Sequence, residues 1–238
     1  GIDSAVVACL AADAVGPQNL AAIAMPSEFN SDLSLELAQQ LAKNISCDFY
    51  NLPIKNSYDS VVESYELCFG SKEFSQVHEN FQARLRGVFL MGFSNEHNSM
   101  LLTTGNKSEY ATGYSTLYGD MCGGLAPIGD LLKSQVYQLA RYYNREQEVI
   151  PEQIITRSPS AELKPDQKDS DSLPDYDTLD ASVEKLVSQK KAALSEVEKW
   201  VLKRLYQSEF KRWQSPPILK VSDHAFGQGR RMPLAHKA

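Results

Sequence analysis

Residues Leu20-Ala21-Ala22-Ile23-Ala24-Met25 form a continuous apolar run closed by Pro26. A strand exposed on one side alternates apolar and polar residues, so a run without alternation fits a strand covered on both faces. Helical spacing flanks it, over about Asp3 to Val15 before it and from a cap at Asp32 through Leu41 after it. Cys47 to Leu52 reads as a second strand. Glu79 to Phe93 has helical spacing that puts Phe81, Leu85, Val88, Phe89 and Gly92 toward one side. Met100-Leu101-Leu102-Thr103-Thr104 reads as a further strand ending at Gly105. Strands alternating with helices imply an α/β fold, a doubly wound parallel sheet with helices on both faces and Rossmann-like connections. Ligands of such sheets bind at the carboxyl ends of the strands. The loop at Gly1, the turn Met25-Pro26-Ser27 and the turn Thr104-Gly105 are expected to meet there.

After about residue 130 the pattern changes. Asp130 to Tyr143 is an amphipathic helix, and residues 178 to 213 are helical and charged, giving extra C-terminal helices. Between them, residues 157 to 177 are a polar loop, either disordered or a lid over a binding site. The tail carries Gly229-Arg230-Arg231, a basic stretch that fits a dimer or interdomain contact. No internal repeat or low-complexity segment is present.

Thirty acidic against 24 basic residues give a net charge of -6, which argues against a dedicated nucleic-acid binder but not against a small nucleotide ligand. No apolar run reaches the roughly 18 residues needed to span a bilayer, so no membrane partner is expected. Cys9, Cys47, Cys68 and Cys122 are scattered without metal spacing and read as free thiols of a cytoplasmic protein. His78, His97, His224 and His236 show no catalytic pairing. Trp200 and Trp213 read as packing residues.

Gly1-Ile2-Asp3-Ser4 runs directly into an apolar helical pattern. Unpaired N–H groups at such a helix start suit an anion such as pyrophosphate. Asp3 adds a carboxylate able to hold magnesium, although Asp-Ser is equally an ordinary helix cap. A loop of this kind follows a strand, so residues upstream of Gly1 are expected in the biological chain. The segment from Thr103 to Asp120 is dense in glycines and hydroxyls around Lys107, Glu109 and Asp120, a composition suited to close approach of a ligand. Read alone, Arg84 and Arg86 fit surface charges, and Lys211 fits a solvated helix face.

The segment from Thr103 through Gly123-Gly124-Leu125-Ala126-Pro127-Ile128-Gly129-Asp130-Leu131-Leu132-Lys133 closely resembles the NAD synthetase family. So do Glu79-Asn80-Phe81-Gln82-Ala83-Arg84-Leu85-Arg86-Gly87, Pro159-Ser160-Ala161-Glu162-Leu163 and Phe210-Lys211-Arg212. Gly1-Ile2-Asp3-Ser4 is similar to the end of the Ser-Gly-Gly-x-Asp-Ser loop of ATP pyrophosphatases. The resemblance runs in order along essentially all of residues 1–238 and implies an adenine nucleotide alpha-hydrolase-like fold. It implies ATP-dependent amidation of nicotinic acid adenine dinucleotide through an acyl-adenylate, with Asp3, Glu109 and Lys133 at the reacting centre. By the same resemblance ATP contacts Gly1, Ile2, Asp3, Ser4, Met25, Thr104, Lys133 and Ser160, and Asp3 and Glu109 hold Mg2+. The dinucleotide contacts Asn80, Arg84, Tyr114, Ser115, Thr116, Leu117, Asp120 and Lys211, in a site built across a homodimer interface.

Leu117 and Gly124 stand where the single-domain, ammonia-using branch carries Lys and Asp. The tail Ala225-Phe226-Gly227-Gln228-Gly229-Arg230-Arg231-Met232-Pro233 also resembles the two-domain, glutamine-dependent branch. An upstream glutaminase domain is therefore expected, with ammonia supplied directly or from glutamine. The other readings are a GMP synthetase-like amide ligase, or a non-catalytic ATP-binding module that needs neither Glu109 nor an acid-substrate pocket.

Overall fold

A computed structural model describes residues 1–70, 73–188 and 194–227. The basic stretch at 229–231, most of the tail from Gln228 onward and His236 lie outside the described residues. The chain is α/β with parallel strands and many helices. The first helix, α1 (Ile2–Val15), turns at Gly16 into β1 (Ala21–Ala24), followed by α2 (Asp32–Ile45) and β2 (Asp48–Asn51). β1 and β2 pair in parallel, with Ala21 opposite Asp48 and Ala24 opposite Asn51. The crossover through α2 is the unit expected from the alternating pattern. All four β1 residues are half-buried, not fully covered.

Then come α3 (Lys55–Phe69), α4 (Gln76–Glu96), α5 (Lys107–Thr112), α6 (Lys133–Tyr143), α7 (Glu152–Thr156), α8 (Tyr176–Val187), α9 (Glu196–Gln207) and α10 (Glu209–Arg212). The strand expected at 100–104 is reduced to one bridge, Leu102 to Leu125. Its partner segment explains this. A Cβ on Gly123 would sit 2.9 Å from the Leu101 carbonyl oxygen, and one on Gly124 would sit 2.9 Å from Met100 Cγ, so the backbones approach closely but briefly.

The described residues gather into two apolar cores. One gathers Ile2, Val6, Val7 and Cys9 of α1 with Leu37 and Leu41 of α2, Val136 and Ala140 of α6 and Ile154 of α7. The other gathers Tyr110 and Ala111 of α5 with Leu179 and Val183 of α8, Val201 and Leu205 of α9, and Phe226. Each buried aliphatic side chain contributes roughly 1.5–3 kcal/mol.

α4 carries the helix expected over 79–93, and its fully buried face is not its apolar stripe. Its buried face is His78, Gln82, Ala83 and Gly87, while Val88 is 65% exposed. Gly87 is required there, because a Cβ would lie 3.2 Å from the Tyr118 carbonyl oxygen. The apolar stripe is half-buried at Phe81, Leu85 and Phe89, and Phe81 meets Tyr65 of α3 with ring centroids 5.3 Å apart. Trp213 is likewise half-exposed, its indole N–H donating to Glu209, whereas Trp200 packs against the second core. Among the described residues no helix is long and apolar enough to cross a membrane.

A buried ion pair clips the C-terminal segment onto this frame. Lys107 Nζ lies 2.7 Å from Asp130 Oδ1, and Asp130 also accepts from the backbone N–H groups of Val221 and Ser222 at 2.8 and 2.6 Å. Removing one partner of a buried pair leaves the other charge uncompensated. Lys107→Met should therefore lower unfolding free energy by about 3 kcal/mol, read as a shifted urea midpoint at unchanged slope. A midpoint equal to wild type would show that the pair contributes nothing.

Candidate active site

The site lies where the two cores meet. α1 brings Asp3, α5 brings Asn106 and Glu109, and α6 opens with Lys133. Lys133 Nζ is 2.5 Å from Asp3 Oδ2 and 3.7 Å from Glu109 Oε1, with its side chain 2% exposed. Asn106 caps α5, accepting from the Glu109 N–H at 3.0 Å, and its amide donates to Asp3 Oδ1 at 2.9 Å. One side chain thus fixes both the helix start and the carboxylate across from it. The start of α6 is held by neighbouring side chains. The Lys133 N–H donates to Ser108 Oγ at 3.0 Å, and the Ser134 N–H donates to Asp180 Oδ2 at 2.7 Å.

The electrostatics follow from two carboxylates sharing one ammonium out of water. Burial, then the neighbouring Asp3 charge, pushes the Glu109 carboxyl up to about 8, against the opposing pull of Lys133 and the Asn106 N–H. Burial alone would lower Lys133, but Asp3 and Glu109 outweigh it and hold the ammonium above the ordinary lysine range. The N-terminus of α1 faces this cluster. In a helix the first N–H groups lack intrahelical partners and favour anions.

Asp169, inside the 157–177 loop, also belongs to this centre. It is buried, and it accepts from the phenols of Tyr114 at 3.2 Å and Tyr176 at 2.8 Å. Burial raises both phenols first; Asp169 adds for each, and Glu109 adds more strongly for Tyr176, so both remain donors. The Tyr176 ring lies 5.3 Å from Lys133 Nζ. The loop is therefore an ordered cover. Gln82 Nε2 donates to the Leu163 carbonyl at 2.8 Å, and Lys164 lies 3.8 Å from Glu79. Glu162 reaches Ser34 on α2 at 2.8 Å.

The expected nucleotide residues fall into two groups. Gly1, Ile2, Asp3 and Ser4 form the start of α1, where Ser4 Oγ donates to the Gly1 carbonyl at 2.9 Å, and Thr104 precedes the Asn106 cap. Met25 leaves β1 and Ser160 lies on the cover, where Ser160 Oγ accepts from the Glu162 N–H at 3.1 Å. Arg86, which fits a surface charge by its sequence, is instead half-buried and donates to the Met25 carbonyl at 3.0 Å. Burial lowers it to about 10, with Glu162 opposing.

The expected acid-substrate residues assemble between α4 and the 113–120 segment. Thr116 Oγ1 donates to Asn80 Oδ1 at 2.8 Å, and the Thr116 N–H donates to Asp120 at 2.6 Å. Arg84 donates to the Leu117 carbonyl at 3.2 Å. Lys211 from α10 donates to the carbonyls of Gly113 and Ser115 at 2.9 and 2.6 Å, so its ammonium pins the Tyr114–Leu117 stretch. Ser115 Oγ turns inward to Met121 Sδ at 3.2 Å. Asp169 and Asn30 escaped sequence reasoning. Each sits among several similar polar residues, and only the fold selects it.

The NAD synthase family model matches residues 1–215, and the chain belongs to that family. A glutamine-dependent NAD(+) synthetase from Synechocystis is 45% identical over 243 residues, covering 99% of this chain and 44% of its own length. A structure of glutamine-dependent NAD+ synthetase from Acinetobacter baumannii in complex with ADP is 36% identical with a TM-score of 0.65, covering 98% of this chain and 44% of that one. A structure of NMN synthetase from Francisella tularensis is 27% identical with a TM-score of 0.76, covering 89% of this chain and 83% of that one. The chain thus spans less than half the length of the curated relatives it matches.

The raised Glu109 carboxyl fixes a pH dependence for the unliganded protein. The ordinary value is 4.5 and the folded value about 8, so between them unfolding releases a proton. Its stabilising contribution is complete below the ordinary value and is lost as pH rises toward the folded one. With chelator present, wild type should lose stability between about pH 5 and pH 8 relative to Glu109→Gln. Parallel pH profiles from denaturant titrations would remove this assignment.

Proposed function

We propose that this chain is the synthetase region of a glutamine-dependent NAD synthetase, amidating nicotinic acid adenine dinucleotide to NAD at the expense of ATP. The convergence of Asp3, Glu109 and Lys133, from three helices, on the N-terminus of α1 carries this reading. A carboxylate does not yield to ammonia without a better leaving group. In the first step a nicotinate carboxylate oxygen attacks the α-phosphorus of ATP, the bond to the β-phosphate breaks, and pyrophosphate leaves with the electron pair. In the second, ammonia attacks the acyl carbon, loses a proton, and AMP leaves.

The α1 N–H groups receive charge that develops on the pyrophosphate. Lys133, held by Asp3 in the unliganded site, is placed to shift its point charge to a phosphate oxygen. Asp3 and Glu109 would hold Mg2+. Their fit is supported by two largely buried carboxyl groups, 18% and 17% exposed, that converge on one point beside the α1 N-terminus. Held there, the ion would neutralise phosphate charge and polarise the P–O bond. Asn80, Arg84, Thr116, Asp120 and Lys211 shape the acid-substrate side, and the cover at 157–177 excludes water from the adenylate.

The relatives' names support glutamine as nitrogen source, with a glutaminase region in the length they have beyond this match. The free thiols Cys9, Cys47, Cys68 and Cys122 support a reducing compartment such as the cytoplasm. Exposed apolar side chains on α3 and α4, with Val88 at 65% and Leu67 at 82%, support a homodimer that would bury some of them.

The direct test incubates the intact protein with ATP, magnesium and the dinucleotide, with ammonium or with glutamine, and follows AMP and NAD. NAD from ammonium is the expected result, and Glu109→Ala should lower its rate at least about 100-fold while the fold is retained. No AMP or NAD under any condition would point to another acceptor acid or to a nucleotide sensor. Val88→Asp should shift the protein toward monomer in sedimentation; an unchanged profile would place the dimer contact elsewhere.

A further inference from the structure

We propose that Asn30 is a positioning residue that couples the nucleotide-side turn after β1 to the cover over the active site. Asn30 Oδ1 accepts from the Ser27 N–H at 2.8 Å, Ser27 Oγ at 3.1 Å and Arg86 Nη2 at 3.2 Å. Its Nδ2 donates to Glu162 Oε2 at 2.7 Å. Donors converge on one atom of the amide and a carboxylate meets the other, so its orientation is dictated by its partners. Arg86 also holds the Met25 carbonyl at 3.0 Å. The oxygen of Asn30 therefore shapes the Met25–Ser27 turn, and its nitrogen holds the cover.

Glu162 is built for the receiving end. It has a positive φ of 50°, a conformation that a non-glycine residue keeps only when its surroundings fix it. Those surroundings are Asn30, Ser34 at 2.8 and 3.0 Å, and the Arg157 guanidinium. The Glu162 N–H in turn donates to Ser160 Oγ at 3.1 Å. A continuous set of contacts runs from the Met25 turn through Arg86 and Asn30 to Glu162 and Ser160. A nucleotide that settles the turn also settles the cover. The cover then keeps water from the acyl-adenylate, where attack by water on the acyl carbon expels AMP and regenerates the acid without product.

This inference rests on the proposed synthetase reaction, and the test separates the two. Asn30→Asp keeps the accepting oxygen but turns the donor into a second carboxylate oxygen facing Glu162. In the intact protein with ammonium, it should raise AMP released per NAD about ten-fold and raise amide exchange in residues 158–168 about ten-fold, with the KM for ATP near wild type. Glu162→Ala removes the same contact from the other side and should uncouple similarly. The double variant Asn30→Asp with Glu162→Gln restores a donor facing an acceptor with the same net charge, and should recover both readouts. A purely structural defect has no reason to be rescued by that swap. Wild-type ratios and exchange in Asn30→Asp or in Glu162→Ala, or no recovery in the double variant, would overturn the coupling. A wild type that makes no NAD would instead remove the synthetase reading, while amide exchange would still report on the contact.

Discussion

The ammonium of Lys133, buried between the carboxylates of Asp3 and Glu109, is the interaction on which the rest of the structure depends. Three charges out of water cost several kcal/mol each before pairing offsets part of it. Apolar residues of similar volume would join α1, α5 and α6 at less cost. The cluster persists because its charges face an α1 N-terminus with donors to give. Asn106 shows how closely the pieces depend on one another, since its two ends hold the start of α5 and the Asp3 carboxylate. Both cores act as rigid supports that keep the cluster in register.

Much of the frame was legible in the sequence. The apolar run at 20–25, the helix from Asp3 and the amphipathic helix ending at Tyr143 each carry a period set by burial of one face or of both. The glycines and hydroxyls from Thr103 to Asp120 marked a segment of close backbone approach, and Gly119 and Gly105 do pack tightly there. Other parts were not legible, for physical reasons. α3 carries mixed polar and aromatic residues with Tyr58 as its buried residue, so no clean stripe marks it. The expected strand at 100–104 has the right composition, but its partner, Gly123-Gly124-Leu125, allows one bridge only.

The fully buried face of α4 is the part of that helix that its spacing did not mark. Periodicity reports that a stripe is apolar, and the natural inference is that it faces the core of its own chain. Here the chain covers the opposite stripe, built from small and polar residues that admit the 113–120 segment at close range. Arg84 and Arg86 then point from that side toward the Leu117 and Met25 carbonyls. Within the apolar stripe Val88 and Met91 stay exposed, while Phe81 packs on Tyr65 of α3. Arg86, Asn30 and Asp169 were hidden by a different limit. Each has a partner at least 55 residues distant, and nothing local marks them among similar neighbours.

The cover is held by polar contacts, and that choice suits its task. An apolar lid of the same extent would gain roughly 25 cal/mol per Å² of buried surface and would open slowly. Hydrogen bonds exchange with water, so each contributes only about 0.5–1.5 kcal/mol net, somewhat more where a charge is involved. A handful of them, from Asn30, Ser34 and Gln82 to Asp169, orders the segment without a large apolar seal. Within that segment Glu162 faces the turn after β1 and Asp169 faces Lys133, so polar contacts tie the cover to two different parts of the frame.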